Sequence, residues 1–295
     1  MTFVILDLEW NGSYSKKRRN FINEIIEFGA VKFNEDMELI SKFSVLVRPQ
    51  IGKKISGKIK NLTHLSNEEL SEGRTFTSAL SKFVKFAGDS IIMTWGTSDI
   101  LALMDNSQYY LTSNRLPFLK YYVDLQKYCE SCMGNNMPVG QQIGLSAAAE
   151  FLNIDVAGMT LHRALDDSVL SFQCFKAMYN KESLDAFIQK ADCDEFYQRI
   201  TFKTTYISDP HNPLIDPAVM YIDCETCGCR AEQKEAWEFK NRSFRAKFYC
   251  SQCQKEFIGR IQFKLKYEGL IISKKTAPLE KKTDETAADA KNTEL

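Results

Sequence analysis

No stretch of this 295-residue chain approaches the run of about 18 apolar residues that a membrane-spanning helix requires. The opening MTFVILDLEW has no basic n-region and meets acids after six residues, which is not the pattern of a secretory leader, so a cytoplasmic protein is expected. Net charge is missing too. Basic and acidic side chains stand at 38 each, so no overall field selects a polyanion, a membrane surface or an acidic partner. Charge gathers only locally: residues 221–275 hold 12 basic against 7 acidic side chains, whereas residues 1–180 balance at 19 and 19. Histidine is scarce, at 64, 162 and 211 alone, which leaves few candidates for a general base working near neutral pH. Cysteine is the exception, with nine. In a reducing cytosol disulfides are disfavoured, and cysteines that cluster read as metal ligands. The length implies about two domains.

The chain is organised around its first stretch, TFVILDLEWN. Residues 3–6 form a continuous apolar run of the kind found in a fully buried strand, yet the run carries Asp7 and Glu9 into that setting. Side chains at i and i+2 of a strand share a face, about 6.6 Å apart. Two bare carboxylates so placed repel each other and resist desolvation, and hard cations between them relieve both costs. The competing reading is an edge strand whose acids face water; the apolar run before them and Trp10 after them favour the buried one.

Further along, residues 11–20 read as a polar, basic loop, and residues 25–33 and 39–47 as an antiparallel hairpin closed by Arg48-Pro49. Residues 50–74 are a long lysine-rich connection. Phe76, Leu80, Phe83, Val84 and Ala87 follow a helical period that Gly88 stops. Residues 91–95 and 121–125 read as strands, and a turn at 96–99 leads into a helix. Residues 145–152 and 165–178 are helical, and 185–199 are expected to form one more helix. The order is mixed α/β, a central sheet covered by helices on both faces. Three of the seven prolines fall within residues 210–217 and mark a boundary, while the charged, alanine-rich end reads as disordered.

If Asp7 and Glu9 bind metal, partners are expected at the ends of neighbouring elements. Asp99 follows the strand ending at Trp95, and His162 and Asp167 open the last strong helix. On one regular helix those two would face directions about 140° apart, so His162 is expected on the loop before it. Taken singly, Asp99 serves equally as a helix cap and His162 as a structural histidine; only the combination points to chemistry.

Asp7-x-Glu9, Asp99 in WGTSD, and His162-x-Ala164-x-x-Asp167 resemble, in order and spacing, the three motifs of the DEDDh 3′→5′ exonucleases. The resemblance covers residues 1 to about 180, and DLEWN, Arg48-Pro49 and LTHLSNEEL are most similar to the branch containing the enhanced-RNAi and histone-mRNA exoribonucleases and the KapD-type bacterial proteins. It implies an α/β, ribonuclease H-like mixed sheet flanked by helices. Asp7, Glu9, Asp99 and Asp167 would hold two Mg²⁺ or Mn²⁺ ions, and His162 would be the general base. Asp166 stands beside Asp167, and the family spacing selects Asp167. Trp10 and Asn11 are expected to touch the nucleic acid. The implied partner is single-stranded RNA or DNA with a free 3′ end, cut to nucleoside 5′-monophosphates. The branch tilts the choice to RNA; a DNA-directed exonuclease and a non-catalytic nucleic-acid-binding adaptor are the alternatives.

Cys224-x₂-Cys227 and Cys250-x₂-Cys253 are the two knuckles of a Cys₄ zinc ribbon holding one structural Zn²⁺. Cys229 reads as a spare that competes with Cys227, and Cys129-x₂-Cys132, lacking a second pair, as ordinary thiols. The ribbon strands alternate apolar with basic side chains, among them Arg245, Lys247, Arg260 and Lys264, so one face can pack while the other meets phosphate. The competing role is stabilisation or subunit contact. The expected domains are an exonuclease domain at 1–182, a helical, proline-rich linker at 183–217, a small β-rich zinc ribbon at 218–273 and a disordered tail at 274–295. The oligomeric state is open.

Overall fold

A computed structural model describes residues 1–134 and 142–279. The chain divides into two compact units, Met1–Thr201 and Phe202–Leu295. No helix among the described residues is long and apolar enough to cross a membrane.

The first unit runs β1 (Thr2–Ser15), β2 (Asn20–Asn34), β3 (Leu39–Leu46), α1 (Gly57–Thr63), α2 (Asn67–Ser71), α3 (Phe76–Ala87), β4 (Ile91–Thr94), α4 (Ser98–Tyr110), β5 (Tyr121–Asp124), α5 (Leu125–Met133), α6 (Leu145–Phe151), α7 (Ala164–Met178), α8 (Lys181–Asp185), β6 (Gln189–Lys190) and α9 (Asp194–Thr201). Its sheet has the order β3-β2-β1-β4-β5-β6. The β1–β2, β2–β3 and β5–β6 pairs are antiparallel, while β1–β4 and β4–β5 are parallel. Burial on both faces explains the unbroken apolar start of β1. Val4, Leu6 and Leu8 enter a core shared with Phe83 and Leu103, while Phe3 and Ile5 pack on the opposite side with Tyr128 and Phe175. Helices α3 and α4 thus cover one face, α5 and α7 the other. This is the mixed sheet flanked by helices that the element order implied.

Four expectations about elements change. Residues 11–15 are not loop: β1 continues to Ser15 and pairs with β2 down to Ser15↔Asn20, leaving only Lys16 to Arg19 as the turn. The polar composition concealed a period of two, because the buried members Asn11, Ser13 and Ser15 are themselves polar and need partners. The connection at 50–74 contains α1 and α2. Each is fixed by a serine cap, Ser56 Oγ accepting from the Ile59 N–H, and Ser66 forming a capping box with Glu69. Residues 125–133 form α5, capped by the Asp124 carboxylate. The stretch 183–217 is not one linker: α8, β6 and α9 belong to the first unit, where Phe196 and Tyr197 are core, and the single helix expected at 185–199 is interrupted by β6.

The second unit contains β7 (Thr205–Tyr206), β8 (Glu232–Gln233), β9 (Glu238–Lys240), β10 (Ser243–Cys250), β11 (Lys255–Lys266) and β12 (Gly269–Pro278), in a sheet ordered β12-β11-β10-β8 with β7 on β11 and β9 on β10. Its proline-rich segment is anchored rather than free, since Ile207 and Ile215 lie in the same core as Phe244, Phe248, Ile261 and Phe263. Strand β12 also takes residues 274–278 out of the expected tail; residues 280–295 lie outside the described residues.

Candidate nuclease site and cysteine centre

Asp7 and Glu9 leave β1 on the face toward α7. In the β1–β2 register Asp7 lies opposite Gly29 and Glu9 opposite Glu27, and the register shifts immediately afterwards, between Glu9 and Trp10. Gly29 is what admits α7. A Cβ there would fall 2.0 Å from the Ala164 carbonyl carbon, and Ser168 Oγ donates to the Gly29 carbonyl at 2.9 Å. The first turn of α7, carrying Asp167, thereby rests on β2 beside Asp7. Asp99 arrives from the other side in the first turn of α4, where its Oδ1 accepts the Leu8 N–H at 2.9 Å.

His162 sits before α7 in a left-handed conformation, φ 64°, its side chain exposed. Its N–H donates to Asp167 Oδ2 at 3.1 Å, and Asp166 turns away to accept the Thr160 N–H at 3.0 Å. Glu9, His162 and Asp167 each bring a ligating atom within 4.8 Å of the others. Asp7 and Asp99 line the same cleft of about 300 Å³, together with Trp10, Ile59, Leu62, Trp95 and Leu145. His64 instead caps α1 and is not among the lining residues.

The electrostatics follow from this crowding. Burial, then Asp99, Asp167 and Glu9, push Asp7 well above the usual carboxylate range. Burial and the Asp167 charge raise Glu9 to about 8, and burial raises Asp99 to about 7 against the lowering effect of the Leu8 N–H. Asp167 is raised as well, by burial, with His162 opposing. Four carboxylates whose charges are this costly, all of them hard oxygen donors, fit divalent cations of the Mg²⁺ class.

Two residues that sequence reasoning missed hold the loop in place. Glu27 is 1% exposed; its carboxylate accepts from Arg163 Nε and Nη2, the latter at 2.9 Å, and from the Ala164 N–H at 3.3 Å. The pair ties β2 to the residue following His162. The only signal in the sequence is an acid interrupting an apolar strand, EIIEFGA, which by itself does not name a partner. Glu27→Gln is expected to lower kcat by roughly tenfold to a hundredfold through misplacement of His162, with little change in KM for short strands. Its cost in stability should stay at about 1 kcal/mol, because Arg163 is 31% exposed and the lost charge relieves Asp7 and Glu9. Unchanged kcat in steady-state assays would reduce Glu27 to a packing role.

Asn11, expected at the nucleic acid, is 2% exposed. Its Nδ2 donates to Ser13 Oγ at 3.1 Å and its Oδ1 accepts the Ser56 N–H at 3.0 Å, so it secures the start of α1, whose Ile59 and Leu62 wall the cleft. Trp10 does line the cleft.

In the second unit Cys224, Cys227, Cys250 and Cys253 bring their sulfurs within 4.8 Å of one another, with Cys224–Cys253 at 3.9 Å and Cys227–Cys250 at 3.5 Å. Four thiolates at about 2.3 Å from one ion in a tetrahedron stand about 3.8 Å apart, so the spacing suits Zn²⁺. Each knuckle turns through a left-handed residue directly after its second cysteine, Gly228 (φ 71°) and Gln254 (φ 52°). The N–H groups of Cys227 and Thr226 bring Cys224 down to about 6, while hydrogen bonding to the Cys227 thiol, then burial, raise Cys253 to about 12. Without a cation the four cannot all be thiolates. Cys229 is exposed and outside the cluster, its carbonyl accepting the Cys224 N–H. Cys129 is buried in the first unit's core and Cys132 is exposed.

Strands β10 to β12 turn one face inward, and their other face carries the half-buried Arg245 and Arg260 and the exposed Lys275 directly opposite one another across three strands, with Glu238 of β9 opposite Arg245. Lys247 is already paired with Glu256 at 2.8 Å, and the Lys264 ammonium lies 5.9 Å over the Tyr206 ring.

Residues 4–175 match the exonuclease family model RNase_T. The chain belongs to this family of exonucleases, and Asp7, Glu9, Asp99, His162 and Asp167 all lie within the matched residues. It is 31% identical over 180 residues to the probable 3′-5′ exonuclease KapD of Bacillus subtilis, spanning 59% of this chain and 83% of that protein. It is 29% identical over 183 residues to the DNA polymerase III subunit epsilon of Aquifex aeolicus, spanning 59% and 78%. Among solved structures, the nuclease domain of 3′hExo, a DEDDh family member bound to rAMP, superposes with a TM-score of 0.52 at 23% identity, over 64% of this chain and 96% of that one. A 3′-exonuclease recognising the 3′ end of a histone mRNA stem-loop gives 0.51 at 23%, over 64% and 84%. At that identity the structural likenesses speak for the fold.

Proposed function

We propose that this protein shortens single-stranded nucleic acid, RNA foremost, one nucleotide at a time from a free 3′ end and releases nucleoside 5′-monophosphates. The observation that carries the reading is the meeting of four costly carboxylates and one exposed histidine in a single cleft of a DEDDh chain. Asp7, Glu9, Asp99 and Asp167 would hold two Mg²⁺ or Mn²⁺ ions, which when bound neutralise the acids and stabilise charge developing on the scissile phosphate. His162, free of the core and fixed at its backbone, takes the proton of the attacking water, a contribution of roughly 10² to 10⁴ in rate. Trp10, Trp95, Ile59 and Leu62 give the terminal bases apolar walls to lie against. The resemblance of DLEWN and LTHLSNEEL to the exoribonuclease branch favours RNA. The DNA-directed reading rests on the Aquifex aeolicus relative, and 2′-OH contacts decide between them. Matched 5′-labelled RNA and DNA strands incubated with Mg²⁺ or Mn²⁺ test it. Stepwise 3′ shortening, lost on chelation and in His162→Ala, is expected; cutting of a closed circular strand would overturn it.

The second unit, in this reading, holds one structural Zn²⁺ on Cys224, Cys227, Cys250 and Cys253 and lends its basic face to the nucleic acid. Cys250→Ser is expected to release the ion and unfold this unit, because its core is too small to persist unmetallated. Replacing Arg245, Arg260 and Lys275 by serine should keep the zinc and reduce the slope of log affinity against log salt by about 2 on long single strands, at about 0.7 per phosphate. Zinc content and a salt titration of RNA binding check both; equal slopes would leave subunit contact as the ribbon's purpose.

A further inference from the structure

The β1–β2 hairpin does not stop at the catalytic acids. The strands stay paired from Trp10↔Ile25 to Ser15↔Asn20, and the turn beyond is Lys16-Lys17-Arg18-Arg19, four consecutive exposed cations. Among the described residues none of the four has an ion-pair partner. Beneath the turn Tyr14 and Phe21 are cross-strand partners whose rings meet edge to face at 5.3 Å, and they are 52% and 67% exposed. The inward positions are secured: Ser13 and Ser15 are buried, Ser13 Oγ donates to Glu24 Oε2 at 2.9 Å, and Ser15 Oγ accepts the Arg18 N–H at 3.2 Å. A pocket of about 330 Å³ lined by Arg18, Asn20, Phe21, Ile22 and Asp105 opens at the foot of the turn.

A solvated turn needs neither four like charges, which repel one another, nor a pair of large rings held in water. Cations without acidic partners, of which Lys17 stands 5.6 Å over the Tyr109 ring, answer to a backbone of phosphates, and exposed aromatic faces beside them answer to bases. The position fits as well. Seven residues separate Glu9 from Lys16, about 23 Å along a strand, which at roughly 3.4 Å per stacked nucleotide corresponds to about seven nucleotides. We propose that this hairpin is a nucleic-acid-binding finger, holding the substrate strand several nucleotides upstream of the 3′ end through Lys16, Lys17, Arg18 and Arg19, with a base stacked on Tyr14 or Phe21. The proposal rests on the exonuclease reading for its substrate, but binding tests it without turnover.

The test uses the full-length chain carrying Asp7→Asn, so that bound strands survive, with and without serine at positions 16 to 19. Fluorescence anisotropy with single-stranded RNA of 4 and 20 nucleotides is followed over a salt titration. For the 20-mer the finger variant is expected to raise Kd by roughly two to three orders of magnitude at 0.1 M salt and to flatten the log–log salt slope by about 3, while the 4-mer is unaffected. Tyr14→Ser with Phe21→Ser should weaken 20-mer binding several-fold without changing the slope. Equal Kd and slope on the 20-mer overturn the finger. So does equal loss on both lengths, which would mean that the cleft itself was disturbed, and so does a loss seen only on anionic phospholipid vesicles. If the chain without Asp7→Asn shortens no strand yet the 20-mer difference persists, the exonuclease reading fails and the finger stands. Normal shortening with no binding difference sinks the finger alone.

Discussion

Asp7→Asn is expected to lower kcat by three to five orders of magnitude, roughly 4 to 7 kcal/mol of transition-state stabilisation, while making the protein free of Mg²⁺ and Mn²⁺ harder to unfold above neutral pH. Both effects have one origin. Asp7 stands among Asp99, Asp167 and Glu9, and its charge, useful for gathering cations, is costly without them. The sign of the pH dependence follows from the raised carboxyls. With Glu9 at about 8 and Asp99 at about 7 in the folded state, the folded chain holds more protons than the unfolded chain between about pH 4 and 8. The contribution of these carboxyls to the stability of the first unit should therefore be fully present below about pH 4, decline as pH rises, and be lost once pH passes about 7 to 8. Removing one charge relieves its neighbours, so the decline in Asp7→Asn should be shallower. Thermal unfolding at pH 6 and pH 8.5, with the cysteine centre loaded throughout, reads this directly. A variant whose stability falls as steeply as that of the unaltered protein would disprove the shared origin.

Gly29→Ala should also be damaging, for a reason of shape rather than charge. The added methyl would lie 2.0 to 2.2 Å from the carbonyl carbon and oxygen of Ala164 and the nitrogen of Leu165, all backbone atoms that cannot rotate away. Helix α7 must then retreat from β2, carrying Asp167 and the Glu27-bound Arg163 with it. A displacement of about 1 Å at a catalytic group costs on the order of 10²-fold in rate, and overpacking of this kind costs about 1 to 3 kcal/mol or more. The control is Gly12→Ala on the same hairpin, where nothing lies within 4 Å of an added Cβ. Activity and melting temperature measured side by side should leave Gly12→Ala near the unaltered protein and Gly29→Ala far below it; parity between the two would refute the argument.

Some of this protein could be read one residue at a time. Side chains two apart on a strand share a face whatever the fold, so FVILDLE already announced a core strand carrying acids that need cations, and two Cys-x₂-Cys pairs fit one ion in any frame that joins them. The family resemblance, and with it the mixed sheet, rests on such local spacings. The polar end of β1 was illegible because its buried partners are serine, asparagine and glutamate, whose burial is tolerable only once Ser13 meets Glu24 and Asn11 meets Ser56. The helices α1 and α2 were hidden in a lysine-rich stretch by the same local blindness, although Ser66 and Glu69 spell a capping box. The domain boundary moved to residue 201 because proline content reports backbone stiffness, while membership of a unit is decided by which core takes Tyr197 and which takes Ile207. Tertiary structure alone decided that Gly29 is the seat of α7, that Glu27 holds Arg163, and that Arg245, Arg260 and Lys275 form a row. Each joins residues distant in the chain, and sequence spacing carries information only over the few residues whose directions the backbone itself relates.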